Sequence, residues 1–374
     1  LIPVTGCEEL GAKVNDYLVK WRRESSHQYQ DDVAFTGYLR DNYIIGAKVP
    51  RFGSGEAKGI ITDSVRGKDL YLMVDVLNYS VTYSLTGNTN HMSPDDHFQN
   101  LKRVIAAIGG KSRRINVIMP FLYESRQHKR NGRESLDCAL ALQELVRMGV
   151  SNIITFDAHD PRVQNAIPLS GFETVSPSYQ FVKNLLATVD DLQIDSSHMM
   201  VISPDEGGTH RAVYLANVMG LDMGMFYKRR DYTRIVNGRN PIVAHEFLGS
   251  SVEGKDVIII DDMISSGDSI IDVATELKRK KARRIFAAAT FGLFTNGMDK
   301  FDQAYEEGLI TGILTTNLIY QTPELLSKPY YINCDMSKYI ALVIDTLNHD
   351  GSISTLLDPN ERIQHVLQQY KNKK

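Results

Sequence analysis

The sequence predicts an α/β protein made of two related domains, each a mostly parallel sheet flanked by helices. Three observations carry this. Apolar runs of strand length alternate with amphipathic stretches of helical length, the rhythm of βα units. The runs are continuous in Val, Ile and Leu, which suits strands covered on both faces. The halves also echo each other. "SVRGKDLYLMVDV" (64–76) resembles "SVEGKDVIIIDDM" (251–263), and "KSRRINVIMPF" (111–121) resembles "KKARRIFAAATF" (280–291), in the same order.

In chain order, strands are expected at 70–76, 115–121, 152–156, 199–202, 257–260, 285–290 and 310–315. Helices are expected at 97–108, 134–148, 207–219, 269–279 and 337–347. The spacing between the repeated segments is longer in the first half, so that half carries an insertion. The stretch "NYSVTYSLTGNTNHMSPDD" (78–96) is polar and dotted with aromatics, and reads as a loop. The expected domains are 1–174, 175–335 and a helix-plus-tail segment 336–374 that packs back on the N-terminal domain. The ending "QQYKNKK" reads as frayed and solvated.

A chain of 374 residues has room for two cores. Its 42 Lys and Arg against 45 Asp and Glu leave a net charge of -3, which gives no electrostatic case for nucleic acid or an anionic membrane as partner. Cys7, Cys138 and Cys334 are scattered without metal-ligand spacing, as in a reducing, cytoplasmic protein without disulfides. No apolar run approaches the roughly 20 residues of a membrane span, and no signal peptide is expected. The start at Leu1 rather than Met leaves room for preceding residues.

The most informative stretch is "VIIIDDMISSGDSII" (257–271). It reads as a buried strand, two aspartates, a loop of small residues and a helix. Ligands of open α/β sheets sit beyond the carboxyl ends of strands, where Asp261 and Asp262 are expected. The loop Ser265, Ser266, Gly267, Asp268 and Ser269 runs into a helix whose first N–H groups lack internal partners. Such a loop suits a phosphate, and the carboxylates suit sugar hydroxyls or a magnesium ion. No G-x-G-x-x-G occurs, which favours a phosphorylated sugar over a dinucleotide.

This pattern resembles the ribose-phosphate loop of phosphoribosyltransferase-type proteins, and alone leaves a transferase and a synthetase open. "SVRGKDLY", "YESRQHKR", "ITFDAHDP", "VISPDEGG", "FYKRRD" and "GSISTLLD" occur in the order found in ribose-phosphate pyrophosphokinases. The resemblance spans roughly 49–358. It implies two phosphoribosyltransferase-type domains, ATP and ribose 5-phosphate as substrates, Mg2+ as cofactor and a homo-oligomer, often a hexamer.

Residue roles carry over motif by motif. In "RFGSGE", Phe52 would stack on adenine, with Ser54 and Glu56 beside it. Ser54 stands where the family usually has aspartate. Arg126 and Gln127 would grip the ATP phosphates and nucleotide, ahead of a basic flap one residue shorter than usual. His159 would bind magnesium or lie by ATP, and Asp160, a departure from a small apolar residue, adds negative charge near it. Asp205 would be a metal-site residue, with a helix N-cap as its competing role. Lys228 and Arg230, read as following a strand, would be the catalytic pair of a mobile loop. Asp268 replaces a usual glycine and Phe291 a frequent histidine. Asp268 should repel a phosphate unless it turns away. The expected reaction is transfer of the pyrophosphoryl unit of ATP to the 1-hydroxyl of ribose 5-phosphate. Alternatives are a non-catalytic regulatory homologue and a phosphoribosyltransferase.

Overall fold

The computed structural model describes residues 1–26, 39–230 and 242–372. The chain divides into two compact units. One comprises Leu1–Ser176, Asn317–Tyr320 and Asp335–Leu357, the other Pro177–Thr316, Gln321–Cys334 and Asp358–Lys374. The C-terminal stretch 336–374 is thus divided between the units.

The first unit holds five parallel strands in the order Ile2–Pro3, Asp69–Met73, Arg114–Ile118, Asn152–Phe156 and Gly171–Val175. In the second unit, Met199–Ser203, Asp256–Ile264, Arg284–Gly292, Gly312–Thr316 and Tyr331–Cys334 run parallel in that order. Beyond Met199–Ser203 the sheet continues with Asp222–Arg230, parallel to it, and Ile242–Leu248, antiparallel.

The continuous apolar runs have a direct cause. Ile258 and Ile260 belong to a core with Leu215, Ile363 and Leu367, whereas Val257 and Ile259 belong to another with Ile270, Val273 and Phe301. Alternate side chains of one strand feed opposite faces of the sheet, so no position is left for a polar residue. Each fully buried side chain of this size contributes about 1.5–3 kcal/mol of transfer free energy.

The sequence repeat is reproduced bond for bond. Asp69 pairs in register with Arg114, and Asp256 with Arg284. Their side chains form ion pairs of 2.6 and 2.7 Å. Gly67 N donates to Lys111 O at 3.0 Å and Gly254 N to Lys281 O at 2.9 Å. Arg113 N donates to Lys68 O at 2.9 Å and Arg283 N to Lys255 O at 2.8 Å. The clamp joins the starts of two neighbouring strands. Both carboxylates are buried, so losing Arg114 or Arg284 would leave each with only a more distant partner, Arg113 at 3.8 Å or Arg283 at 3.7 Å, a loss at the lower end of about 3–5 kcal/mol.

Three sequence expectations need correction. The insertion is not a loop. Thr82–Leu85 and Asn88–His91 form a hairpin, turned at Thr86 and Gly87 with φ of 49° and 83°, the pair of positive values a tight two-residue turn demands. The helix Pro94–Ile108 follows, opened by a capping box between Ser93 and Asp96. The tail is not frayed through "QQYKN": Asn360–Asn372 is a helix with Ile363 and Leu367 buried. Its Tyr370 hydroxyl accepts from Leu192 N at 3.1 Å and donates to Val189 O at 3.0 Å. Lastly, Glu8–Ser26 is a helix that was not anticipated. Among the described residues no helix is long and apolar enough to cross a membrane.

Candidate active site

In the second unit, the strand Asp256–Ile264 runs four residues beyond the expected end at 260, carrying both aspartates within the strand. Asp261 pairs with Ala289, and Met263 with Phe291. The two carboxylates differ sharply in surroundings. Asp262 is buried and lies 3.7 Å from the Arg211 guanidinium, itself buried on the helix Thr209–Met219. Asp261 accepts from Asp262 N at 2.9 Å. Burial first, then the negative charges of Asp262 and Asp205, push its pKa well above the ordinary carboxylate value. Beside it is Gly208, where a Cβ would stand 3.5 Å from Asp261 Oδ1.

Asp205 follows the neighbouring strand Met199–Ser203. Its Oδ1 accepts from Gly207 N at 2.9 Å and Gly208 N at 3.2 Å. These bonds close the turn before the helix Thr209–Met219, whose N-cap is Gly208 with no side-chain cap bond, so the competing capping role is not filled by this carboxylate, which also raises Asp261.

The phosphate-type loop follows Ile264. Gly267 has φ of 87°, and a Cβ there would lie 2.2 Å from the Phe301 ring. Left-handed backbone and lack of space both require glycine. The helix Asp268–Arg279 begins at once, its N-cap Gly267 supplying no side-chain cap and Ser266 Oγ accepting from Asp268 N at 3.5 Å. Asp268 is held aside: it bonds Ser266 Oγ at 2.8 Å and forms an ion pair with Lys300. Lys300 first, then Ser266, holds its carboxyl below the usual value. Phe291 is buried in the strand Arg284–Gly292 and does not face the loop from solvent.

The first unit carries the other motifs. Phe52 is 54% exposed, so its ring offers a face for stacking. Ser54 Oγ donates to Glu56 Oε2 at 2.9 Å. Arg126 is exposed. The Gln127 side-chain amide donates to Ser135 O at 2.7 Å and Lys129 O at 3.3 Å, closing the basic flap on itself. His159 lies just past the strand Asn152–Phe156, its ring centroid 5.3 Å from that of His128. Asp160 does not contribute a loose negative charge. It takes Arg162 Nε at 2.9 Å and Arg162 N at 2.9 Å, with His128 Nε2 at 3.5 Å. The bonds from Arg162 hold its carboxyl far below the usual range.

Lys228 and Arg230 lie on the strand Asp222–Arg230 rather than after it, with a register shift between Arg229 and Arg230. Their side chains, and the following 231–241, lie outside the described residues. The described residues contain no cluster of three or more acidic, histidine or cysteine side chains arranged to hold a metal. Asp205 and the raised Asp261 nonetheless fit magnesium, which keeps several waters and binds through one or two carboxylates plus substrate phosphates.

Sequence reasoning missed Arg211 and Lys300. Each is separated from its partner aspartate by tens of residues, and no local pattern marks either.

Residues 1–149 match the family described as the N-terminal domain of ribose phosphate pyrophosphokinase. Residues 172–316 match the phosphoribosyl transferase domain family. The chain is 29% identical over 274 residues to the ribose-phosphate pyrophosphokinase of Mycoplasma genitalium, covering 72% of this chain and 74% of that protein. It is 27% identical over 321 residues to that of Vibrio parahaemolyticus, covering 83% and 91%. Its fold matches the crystal structure of phosphoribosylpyrophosphate synthetase from Mycobacterium smegmatis with a TM-score of 0.71 and 20% identity, over 94% of this chain and 98% of that one.

Proposed function

The chain belongs to the ribose-phosphate pyrophosphokinase family, and on that premise we propose that it makes 5-phosphoribosyl 1-pyrophosphate and AMP from ATP and ribose 5-phosphate. The O1–Pβ bond forms, the bond from Pβ to the bridging oxygen on the α-phosphate breaks, AMP departs with that oxygen, and the 1-hydroxyl proton passes to solvent. The observation that carries the reading is the loop after Asp261, with Gly267 at φ of 87° opening directly into a helix N-terminus. That is a cradle for the 5-phosphate, while Asp261 accepts from ribose hydroxyls and Asp262 is anchored by Arg211.

Phe52, Ser54 and Glu56 hold the adenosine, and Arg126 with Gln127 takes the phosphates, once Gln127 releases its flap bonds. Lys228 and Arg230 stabilise charge on the transferring group. His159 in the first unit and Asp205 in the second would each serve as a magnesium residue of its own unit, and the ion would neutralise phosphate charge. No general base is required, since positioning and electrostatics supply most of the rate. The working protein is a homo-oligomer. Three buried free cysteines agree with a cytoplasmic setting.

The test is a coupled assay with ATP, ribose 5-phosphate and magnesium. AMP is the expected nucleotide product. ADP dependent on ribose 5-phosphate means simple kinase chemistry, and no product at all favours the regulatory homologue.

A further inference from the structure

We propose that the 78–96 insertion is a brace that fixes the nucleotide-contacting loop 51–56 and thereby sets the affinity for the nucleoside triphosphate. This rests on the assignment of Phe52 and Glu56 to the nucleotide.

The insertion is anchored at its base. Asn78 donates its side-chain amide to Gly6 O at 2.7 Å, and its carbonyl meets Nε2 of the buried His97 at 2.8 Å. Val81 packs on Gly6, where a Cβ would come within 3.0 Å of it. From this base the hairpin Thr82–His91 reaches the loop. Thr86 N donates to Gly53 O at 3.2 Å. Leu85 covers Gly55 so closely that a Cβ there would be 2.8 Å from its Cδ1. The Tyr83 ring lies under the Arg51 guanidinium at 4.0 Å.

Arg51 joins the parts. It donates to Gly55 O at 3.1 Å inside the loop and to Asp96 Oδ1 at 2.9 Å outside it. The other oxygen of Asp96 accepts from Ser93 N at 3.0 Å and completes the helix cap. One carboxylate thus ties the loop to the start of the helix Pro94–Ile108. The loop's own backbone bonds are few: Phe52 N to Glu56 O at 2.7 Å, Gly55 N to Phe52 O at 2.9 Å and the Arg51–Ala57 bridge. Turns this small are marginal alone. With the brace, the loop is ordered on folding instead of on binding, which spares affinity.

The experiment compares Tyr83→Ala, Leu85→Ala and Tyr83→Phe by steady-state kinetics and by hydrogen exchange at the Phe52 and Gly55 amides. The two alanine variants should raise KM for ATP roughly tenfold, the scale of one lost contact of this kind. KM for ribose 5-phosphate should stay unchanged, and Tyr83→Phe, which keeps the ring face, should behave as wild type. The two amides should exchange faster only in the alanine variants. An unchanged KM for ATP, or equal rises in both KM values, overturns the brace. If the wild-type chain makes no AMP, the functional reading fails by itself. The brace is then judged by exchange alone, unchanged protection overturning it. Should Tyr83→Ala fail to fold, Leu85→Ala carries the same comparison.

Discussion

Asn substitutions at the two adjacent aspartates should move stability in opposite directions. Asp261 has its pKa raised by burial and by the charges of Asp262 and Asp205. For such an acid the native state holds its proton longer than the unfolded chain. Stability is full below the unfolded value of about 3.9 and falls by about 1.4 kcal/mol per pH unit as pH rises towards the folded pKa, above which the loss is complete. Asp261→Asn cannot ionise. It should flatten that slope and stabilise the metal-free protein at neutral pH. Asp262 sits 3.7 Å from Arg211 with both side chains more than nine-tenths buried. Removing one partner of a buried pair costs about 3–5 kcal/mol, and this long separation points to the lower end, about 3. Urea unfolding in chelator at several pH values from 5 to 8 reads both effects. Kinetics on the same variants should show a raised KM for ribose 5-phosphate in each. Equal destabilisation by the two substitutions, or a wild-type pH slope in Asp261→Asn, refutes the assignment of separate electrostatic roles.

Gly267→Ala combines a left-handed backbone penalty of about 1–2 kcal/mol with a Cβ 2.2 Å from the Phe301 ring, an overpacking of about 1–3 kcal/mol. Thermal unfolding should show the sum, and a variant as stable as wild type would mean that the loop is not pinned on Phe301. Lys228→Ala and Arg230→Ala should each lower kcat by on the order of 100-fold with little change in KM, the effect of removing a charge that acts in the transition state. Arg229→Ala, between them, should be mild, and an equal loss in all three would indicate a diffuse basic surface.

The apolar strands were legible because each feeds two cores and so excludes polar residues. The end of the Asp256–Ile264 strand was not, because polar residues normally mark an end, whereas here Asp261 stays in the ladder opposite Ala289. The hairpin in the insertion was readable after all. "TYSL" and "NTNH" flank a two-residue Thr-Gly turn, but Thr86 is an unusual choice for positive φ. The helix Glu8–Ser26 shows buried Leu10, Val14 and Leu18 at helical spacing, and the C-terminal helix shows Ile363 and Leu367. Both were overlooked beside stronger motifs. The loop at Gly267 was expected as a phosphate cradle from residue types alone. Its neutralising Lys300 and the Arg211 anchor depend on tertiary proximity, which no local pattern encodes.

The first unit is discontinuous in sequence. The helix Glu8–Ser26 packs on Ser337–Asn348, with Arg22 bonded to Asp345 at 2.6 Å, and Arg114 bonded to Asp350 at 2.6 Å. Tyr320 N donates to the buried Asp75 at 2.6 Å. A ribosome that has just released Ser176 must therefore add about 180 further residues before this unit has all its parts. At 5–20 residues per second that is a wait of roughly ten to forty seconds. During it the helix Glu8–Ser26 lacks its contacts with Ser337–Asn348. The second unit is released in nearly one piece but closes on the helix Asn360–Asn372, so both units gain their last element from the C-terminal stretch, and the half that begins synthesis has the longer wait for it.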